Sequence, residues 1–163
     1  MDEILIKPIG VIHTPFKEPR GTPIQPVKSA GAKGTIEIYP VYQPGLKDLD
    51  GFSHIILLYH FHLSSGFELT VTPYLDNNER GLFATRAPRR PNPIGISVVK
   101  LERVEENKLH IANVDIVDGT PLLDIKPYVN EFDSVEDYRI GWLKDRVNQN
   151  GMDAADDRFH KGN

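Results

Sequence analysis

The chain has 163 residues, of which 39% are hydrophobic and 26% charged, a composition typical of a soluble globular protein with one domain. It contains no cysteine, which excludes disulfides, thiolate metal sites and cysteine nucleophiles. The formal net charge of −4 argues against a protein that coats nucleic acid non-specifically, but it permits RNA recognition through a local basic patch.

The sequence lacks the usual signals of export and membrane insertion. No apolar run approaches the roughly 18 residues of a membrane span. The first residues, Met1 to Glu3, have no basic n-region of the kind that a signal peptide carries. We therefore expect a cytoplasmic protein with no membrane partner.

Short apolar runs separated by proline and glycine predict a mainly β fold. The 13 prolines and 13 glycines are spread along the chain, a pattern that favours strands and turns over long helices. In chain order, the predicted strands are 4–13, 34–39, 52–63, 68–72, 81–85, 95–104, 108–117 and 122–129. The short connections predict a small antiparallel β-barrel with short helices.

Three histidines share one face of the predicted strand 52–63: His54, His60 and His62. A His-x-His pair on a strand can chelate zinc or iron, and the alternative is polar side chains that line a pocket or a subunit interface. No acidic residue has matching spacing, so we expect no metal. A pocket-lining His62 is a candidate for moving a proton.

The most distinctive segment is a basic loop at 86–93, which we call the arginine loop. It places Arg86, Arg89 and Arg90 among three prolines. Because proline fixes its own φ and disfavours helix in the residue before it, the loop should be stiff and non-helical. A rigid cationic loop loses little entropy on binding and suits a carboxylate or a phosphate. The alternative is a solvated basic turn.

The C-terminal half contains a change of strand parity and one predicted helix. Leu109 and Ile111 alternate on one face of 108–117, whereas Val114 and Ile116 alternate on the other, which predicts a bulge near 112–113. A helix is predicted over 134–147, capped by Ser134. We expect one domain over 1–143, followed by the helix end and a flexible polar tail over 144–163.

Five motifs together resemble the TrmO-type (TsaA-like) family of tRNA methyltransferases. They are Ile-Gly-Val-Ile-His-Thr-Pro-Phe at 9–16, Gly-Phe-Ser-His at 51–54, Phe-Ala-Thr-Arg at 83–86, Arg-Pro-Asn-Pro-Ile-Gly at 90–95 and Asp-Gly-Thr-Pro at 118–121. The resemblance covers residues 1–133 in the family's order. It implies a small β-barrel, a homodimer, S-adenosylmethionine as methyl donor, and methylation of N6 of threonylcarbamoyladenosine at tRNA position 37, beside the anticodon.

The resemblance also implies a set of site residues. Those implied to bind the donor are Pro23, Ile24, Gln25, His62, Leu63, Arg86, Ile96, Asp115, Ile116, Val117 and Asp118. Ile24 stands where the family has arginine, which leaves only backbone contacts at that position. Arg86 and His62 are the candidate catalytic residues, and Arg89 and Arg90 are the candidates for contacts with tRNA. No metal is implied.

Two other functions compete with this interpretation. The chain could be a non-catalytic module that binds a nucleotide or RNA through the arginine loop. It could also be a metal-dependent hydrolase that uses the three histidines. Methyl transfer and metal content distinguish the three.

Overall fold

The structure, a computed structural model, describes residues 3–19, 22, 31–73 and 76–144. Eight strands lie within these ranges: β1 (Gly10–His13), β2 (Lys33–Ile38), β3 (His54–His60), β4 (Thr70–Val71), β5 (Arg80–Gly81), β6 (Ile94–Glu105), β7 (Lys108–Ala112) and β8 (Thr120–Pro127). Six of them form a closed barrel in the order β1-β2-β7-β6-β3-β8, and every pairing is antiparallel. The predicted mainly β fold and small antiparallel barrel are confirmed.

The barrel core is filled by the alternate residues of its strands. In β3, Ile55, Leu57 and Tyr59 are buried while the residues between them are half-exposed. The side chains with at most 2% exposure in this core are Ile12, Ile36, Ile38, Ile55, Leu57, Val99, Leu109, Ile111, Val114, Ile116 and Leu122. Burial of each such side chain contributes roughly 1.5–3 kcal/mol, so this cluster is the main source of the fold's stability.

The predicted parity change after β7 is real, but its form differs from a bulge in that strand. Both Ile111 and Val114 are fully buried. The switch occurs at Asn113, whose φ of 61° is left-handed, just after the strand ends. Asparagine tolerates this conformation better than most residues. The register shift itself lies on the facing strand, between Leu101 and Arg103 of β6.

Helical structure is short wherever the structure describes it. It comprises α1 (Asn130–Asp133) and the 3-10 segments Pro40–Leu46, Leu49–Gly51, Leu82–Ala84 and Gly141–Leu143. None of these helices has the length and apolar character needed to cross a bilayer. The strand predicted over 81–85 is wrong for its greater part, because residues 82–84 form a 3-10 turn.

The predicted C-terminal helix over 134–147 is wrong across its described part. Only Gly141–Leu143 is helical there. Val135 and Tyr138, the start of the expected apolar face, are each 68% exposed, so no packing stabilises a helix. Gly141 has a φ of 55°, which interrupts a right-handed helix. Residues 145–163, including the predicted tail, lie outside the described residues.

A side lobe carries the arginine loop; it comprises the described residues between β3 and β6 (61–73 and 76–93). Its small core consists of Val71, Leu82 and Ala87, and β4 pairs with β5 beneath them. The indole Nε1 of Trp142 donates to the carbonyl of Ala84 at 2.8 Å, which ties the segment after α1 to the lobe. The loop therefore rests on a folded support.

Candidate active site at one end of the barrel

Most of the residues predicted to bind the donor, among those that the structure describes, lie at the end of the barrel where β3 ends and where β6 and β8 begin. His62 and Leu63 follow β3, Arg86 precedes β6, and the segment 115–118 leads into β8. Antiparallel pairing of β3 with both β6 and β8 brings these strand ends together. Segments that are distant in sequence thus converge on one rim.

A hydrogen-bonded chain of three side chains enters the barrel at this rim. The hydroxyl of Ser97 donates to Oδ1 of Asp115 at 2.7 Å. Since Ser97 has only one hydroxyl proton, the phenol of Tyr59, 3.0 Å from Ser97 Oγ, must donate to it. Tyr59 and Ser97 are 5% and 3% exposed, so the chain is shielded from water.

Burial sets the protonation of this chain. It raises the pKa of Asp115 to about 6, while the hydrogen bond from Ser97 and the positive charge of Arg86 oppose that increase. Burial also raises the pKa of Tyr59, and the charge of Asp115 adds to the effect. At neutral pH the carboxyl group is therefore largely ionised and the phenol remains protonated.

The arginine loop presents one exposed cation and two half-buried ones. Arg86 is exposed and lies within electrostatic reach of Asp115 and Tyr59. Arg90 donates through Nη1 to the carbonyls of Thr85 and Ala87, at 3.0 and 3.2 Å. These bonds close the loop on itself, which fits the stiffness expected from its prolines.

The other half-buried arginine joins the loop to the start of the side lobe. Arg89 Nε donates to the carbonyl of Ser65 at 3.0 Å. Its remaining guanidinium nitrogens extend the same cationic surface that Arg86 begins. Arg89 and Arg90 thus each combine a positive charge with a structural contact.

His62 is held in one tautomer by its neighbour on β8. The hydroxyl of Thr120 donates to the carbonyl of Val117 at 2.7 Å. It therefore accepts from Nδ1–H of His62, at 3.3 Å, and this assignment leaves Nε2 as the basic atom. Burial, together with the neighbouring His60, lowers the pKa of His62, so the imidazole is neutral at pH 7.

The segment 115–118 is fixed by contacts with the residues after β1. Thr14 Oγ1 donates to the carbonyl of Ile116 at 2.7 Å, and the Thr14 N–H donates to Asp118 at 2.9 Å. Lys17 contacts the same carboxylate at 2.7 Å, and its hydrogen bond lowers the pKa of Asp118. The backbone of this segment is therefore preorganised for a ligand.

Comparison with known proteins identifies the family that has this architecture. Residues 11–134 match the family model described as the tRNA-methyltransferase O N-terminal domain. The chain belongs to the TrmO family of tRNA methyltransferases. The resemblance predicted from the five motifs is thereby confirmed.

Relatives of TrmO type differ in how much of their length this chain covers. The chain is 54% identical over 156 residues to a probable S-adenosyl-L-methionine-binding protein of Pyrococcus abyssi, covering 96% of this chain and 85% of that protein. It is 35% identical over 144 residues to the mouse tRNA (adenine(37)-N6)-methyltransferase, covering 84% of this chain but 33% of that enzyme. A crystal structure of TrmO from Pseudomonas aeruginosa superimposes with a TM-score of 0.74 at 40% identity, over 88% of this chain and 62% of that one. The chain thus spans a third of the mouse enzyme and less than two thirds of the bacterial structure.

The side chains of the predicted site residues point in different directions on the barrel. Ile96 is 53% exposed on the outer face of β6, because strand alternation turns it away from Ser97. Ile116 is 2% exposed, so its side chain belongs to the core and only its backbone is available to a ligand. Leu63 is exposed and Val117 is half-buried. Pro23, Ile24 and Gln25 lie outside the described residues.

Sequence reasoning missed Tyr59 and Ser97. Alternation along the strand 52–63 places Tyr59 on the apolar face, opposite the histidines, which is correct for the ring but says nothing of the hydroxyl. Ser97 carried a signal that could have been used: it is a polar residue between Gly95 and Val99 on the buried face of β6. A hydroxyl on such a face needs a partner, and the partner is Asp115.

The three histidines on and after β3 do not converge on one point. His54 begins β3, and its Nδ1 lies in a hydrogen bond 2.9 Å from Oγ of Ser53. His60 ends the same strand six residues further along, roughly 20 Å away at about 3.3 Å per strand residue, and His62 lies in the turn that follows it. No group of three metal-ligating side chains occurs within the described ranges.

A separate polar cleft of about 480 Å³ lies on the outer face of β1, β2 and β7. Lysines line it, but each is paired with an acid: Lys17 with Asp118 at 2.7 Å and Lys33 with Glu102 at 3.2 Å. The charges of these lysines are therefore balanced, and the cleft shares Thr14, Lys17 and Asp118 with the candidate active site.

Proposed function

We propose that this chain is an S-adenosylmethionine-dependent tRNA methyltransferase that methylates N6 of threonylcarbamoyladenosine at position 37, and that it acts in the cytoplasm. The observation that carries the proposal is the convergence of Arg86, Asp115 and the fixed segment 115–118 at one barrel rim in a TrmO-family chain. Relatives named as an S-adenosyl-L-methionine-binding protein and as a tRNA (adenine(37)-N6)-methyltransferase support the donor and the acceptor class.

The residues of the rim fit the chemical groups of the donor. The carbonyls of Ile116 and Val117 and the N–H of Asp118 are bonded within the fold, which holds the segment 115–118 in place, and its remaining backbone groups can meet an adenine edge. Leu63 supplies exposed apolar surface at the rim, and the family resemblance adds Ile96 and residues 23–25 to the donor set. When bound, the donor supplies an electrophilic methyl group on a sulfonium.

The arginine loop fits the acceptor. The acceptor nitrogen is a ureido nitrogen, which is a poor nucleophile while it carries its proton. Arg86 is exposed at the rim, where a guanidinium can hold the threonyl carboxylate and favour loss of that proton. Arg89 and Arg90 extend the cationic surface toward tRNA phosphates, and His62 is the second titratable group of the site.

We also propose that two copies associate through what we call the outer apolar face. It is formed by the outward residues of two paired strands, Ile56 and Leu58 of β3 with Ile96 and Val98 of β6. Val98 and Ile96 are 38% and 53% exposed in the single chain. An exposed apolar surface on two paired strands is suited to an isologous contact, in which the same residues of both copies meet.

The test is methyl transfer from labelled donor to tRNA that carries threonylcarbamoyladenosine, compared with the same tRNA carrying adenosine. We expect methylation of the modified tRNA alone, with the product identified by nucleoside mass spectrometry, and activity that survives a chelator. Donor at about 100 times its Kd should stabilise the fold by about 2.7 kcal/mol in a thermal shift. Donor binding without transfer would replace the enzyme with a non-catalytic binding module. Loss of activity on chelation would instead support the hydrolase interpretation of the histidines.

A further inference from the structure

The Tyr59–Ser97–Asp115 chain is a buried polar network whose purpose the fold alone does not explain. Apolar residues of similar size at 59 and 97 would fill the barrel without any need for hydrogen bonds. Instead, two hydroxyl donors in series point toward one carboxylate at the rim, at 3.0 and 2.7 Å. Tyr59 holds and polarises the Ser97 hydroxyl, and Ser97 stabilises the ionised form of Asp115, so the network presents an oriented negative charge to the site.

We propose that Asp115 is the catalytic residue that removes the proton from the acceptor nitrogen, and that Tyr59 and Ser97 are positioning residues that hold its carboxylate. This inference rests on the proposed methyltransferase function and adds to it a general base. The backbone of Asp115 remains part of the donor site, while its side chain serves the acceptor.

The step balances without any further reactant. The N6–H bond of the ureido group breaks and its proton passes to the carboxylate of Asp115. The electron pair left on N6 forms the bond to the methyl carbon, and the carbon–sulfur bond of the sulfonium breaks with its electron pair remaining on sulfur. A neutral thioether and a methylated ureido nitrogen result, and Asp115 later releases its proton to water.

Two candidate bases lie at the rim, and the contacts favour Asp115 over His62. Ser97, itself held by Tyr59, orients the Asp115 carboxylate at 2.7 Å, whereas the contact between Thr120 and His62 is longer, at 3.3 Å. Arg86, the exposed cation suited to the acceptor's carboxylate, also acts electrostatically on Asp115. The titratable groups that face Asp115 are Tyr59 from β3 and Arg86 from the arginine loop. A carboxyl group with a pKa of about 6 is ionised at neutral pH yet basic enough to accept a proton there.

The first experiment separates proton removal from donor binding. Asp115→Asn keeps an oxygen that can accept from Ser97, so the variant should fold. We expect methyl transfer to modified tRNA to fall by roughly 100- to 10,000-fold, the usual contribution of a general base. Donor affinity, measured by calorimetry, should change by less than about threefold. An equal loss of donor affinity, or a rate that matches the wild type, would overturn the proposal.

The second experiment tests the positioning residues through the pH profile of kcat/KM. The wild-type rate should rise with pH through an apparent pKa near 6, because only the ionised carboxylate accepts a proton. Ser97→Ala removes the hydrogen bond that favours ionisation of Asp115. The rise of kcat/KM should therefore move to higher pH by about one unit. Ser97→Thr should restore the wild-type position, and Tyr59→Phe should give a smaller upward shift. Matched controls are Ser53→Ala and Tyr128→Phe, at the opposite end of β3, which should leave the apparent pKa of the pH profile unchanged.

Failure of this inference can be distinguished from failure of the proposed function. If the rise of kcat/KM with pH is unchanged in Ser97→Ala but is lost in His62→Gln, the base is His62. If wild-type protein transfers no methyl group, the proposed function fails and the catalytic role of Asp115 fails with it. NMR titration of the Asp115 carboxyl in free protein then still decides the positioning claim, which predicts the same upward pKa shift in Ser97→Ala.

Discussion

Gly95 has a role that only its three-dimensional surroundings reveal. A Cβ at this position would collide with the ring of Tyr59 and lie 2.9 Å from the ring of Phe61. Gly95 pairs with Tyr59 across β3 and β6, so the phenol crosses the glycine to reach Ser97. The absence of a side chain at 95 therefore makes the Tyr59–Ser97 contact possible.

We predict that Gly95→Ala destabilises the protein by roughly 1–3 kcal/mol, the usual effect of overpacking a core. It should also weaken methyl transfer, because a displaced Tyr59 no longer orients Ser97. Denaturant unfolding measures the first effect. Gly81→Ala is the matched control, since a Cβ there meets no atom within 4 Å. If both variants unfold at the same denaturant concentration, the close approach at 95 is tolerated and this argument is wrong.

A second residue-scale prediction concerns the pH dependence of stability. Arg80 donates to Asp76 through Nε and Nη2, at 2.9 and 2.6 Å, and its hydrogen bonds lower the pKa of Asp76 to about 2. Because the pKa is lower in the folded state, the stabilisation is present above the unfolded value of 3.8 and is lost as pH falls toward 2. Thermal melts between these values should show a steeper loss for wild type than for Asp76→Asn. Parallel curves for the two proteins would contradict the assignment.

The contacts that could not be predicted from the sequence join residues that are far apart along the chain. The family resemblance predicted Arg86, His62 and Asp115 as members of one site, although only Arg86 lies within one of the five motifs. Tyr59 and Ser97 are in contact although 38 positions separate them in the sequence, and 18 positions separate Ser97 from Asp115. Those contacts exist only once the barrel closes, and neither residue belongs to a recognisable motif at its own position.

At the scale of elements, strand alternation was informative and helix periodicity was not. The buried and exposed positions of β3 and β6 follow the alternation visible in the sequence. The helix expected over 134–147 had a plausible cap and apolar spacing, but the start of its apolar face, Val135 and Tyr138, is exposed to solvent. Periodicity predicts a helix only where a partner surface buries the apolar face, and here the closed barrel already buries its own.

The arginine loop is the element whose function is most directly testable. Arg86→Ala should lower methyl transfer by about 10- to 100-fold, since a charge-assisted hydrogen bond contributes roughly 1.5–3 kcal/mol. Arg89→Ala should weaken tRNA binding and reduce its salt dependence. Arg90→Ala should do the same and also loosen the loop, because it removes the bonds to Thr85 and Ala87.

A matched control for the loop is Arg103→Ala, on the outer face of the barrel, where Arg103 lies 3.5 Å from Glu105. This variant should bind and methylate tRNA as the wild type does. Filter binding at several salt concentrations and the transfer assay together measure all four variants. If the three loop variants also behave like wild type, the loop is a solvated turn and contributes nothing to recognition.

At the scale of the whole molecule, the barrel divides its residues between two surfaces. Inward residues of β3 and β6 supply the core and the buried hydroxyl chain, whereas outward residues of the same strands form the outer apolar face. Because the alternation of β6 holds from Ile94 to Leu101, Ser97 and Ile96 lie on opposite sides of the strand. Association through the outer face would leave the Tyr59–Ser97–Asp115 chain intact within each copy.

We therefore predict that the protein is a dimer at micromolar concentration, with a mass by light scattering twice the 18.4 kDa of one chain. Val98→Glu places a charge on the outer apolar face and should yield monomers, because burying an unpaired carboxylate in the contact is unfavourable. Val41→Glu, at a position that is 76% exposed in the segment Pro40–Leu46, should leave the dimer unchanged. A wild-type protein that is monomeric under these conditions removes the dimer proposal. A monomeric Val98→Glu variant that retains full methyl transfer would show that each copy holds a complete active site, whereas an inactive but folded monomer would show that residues of both copies build it.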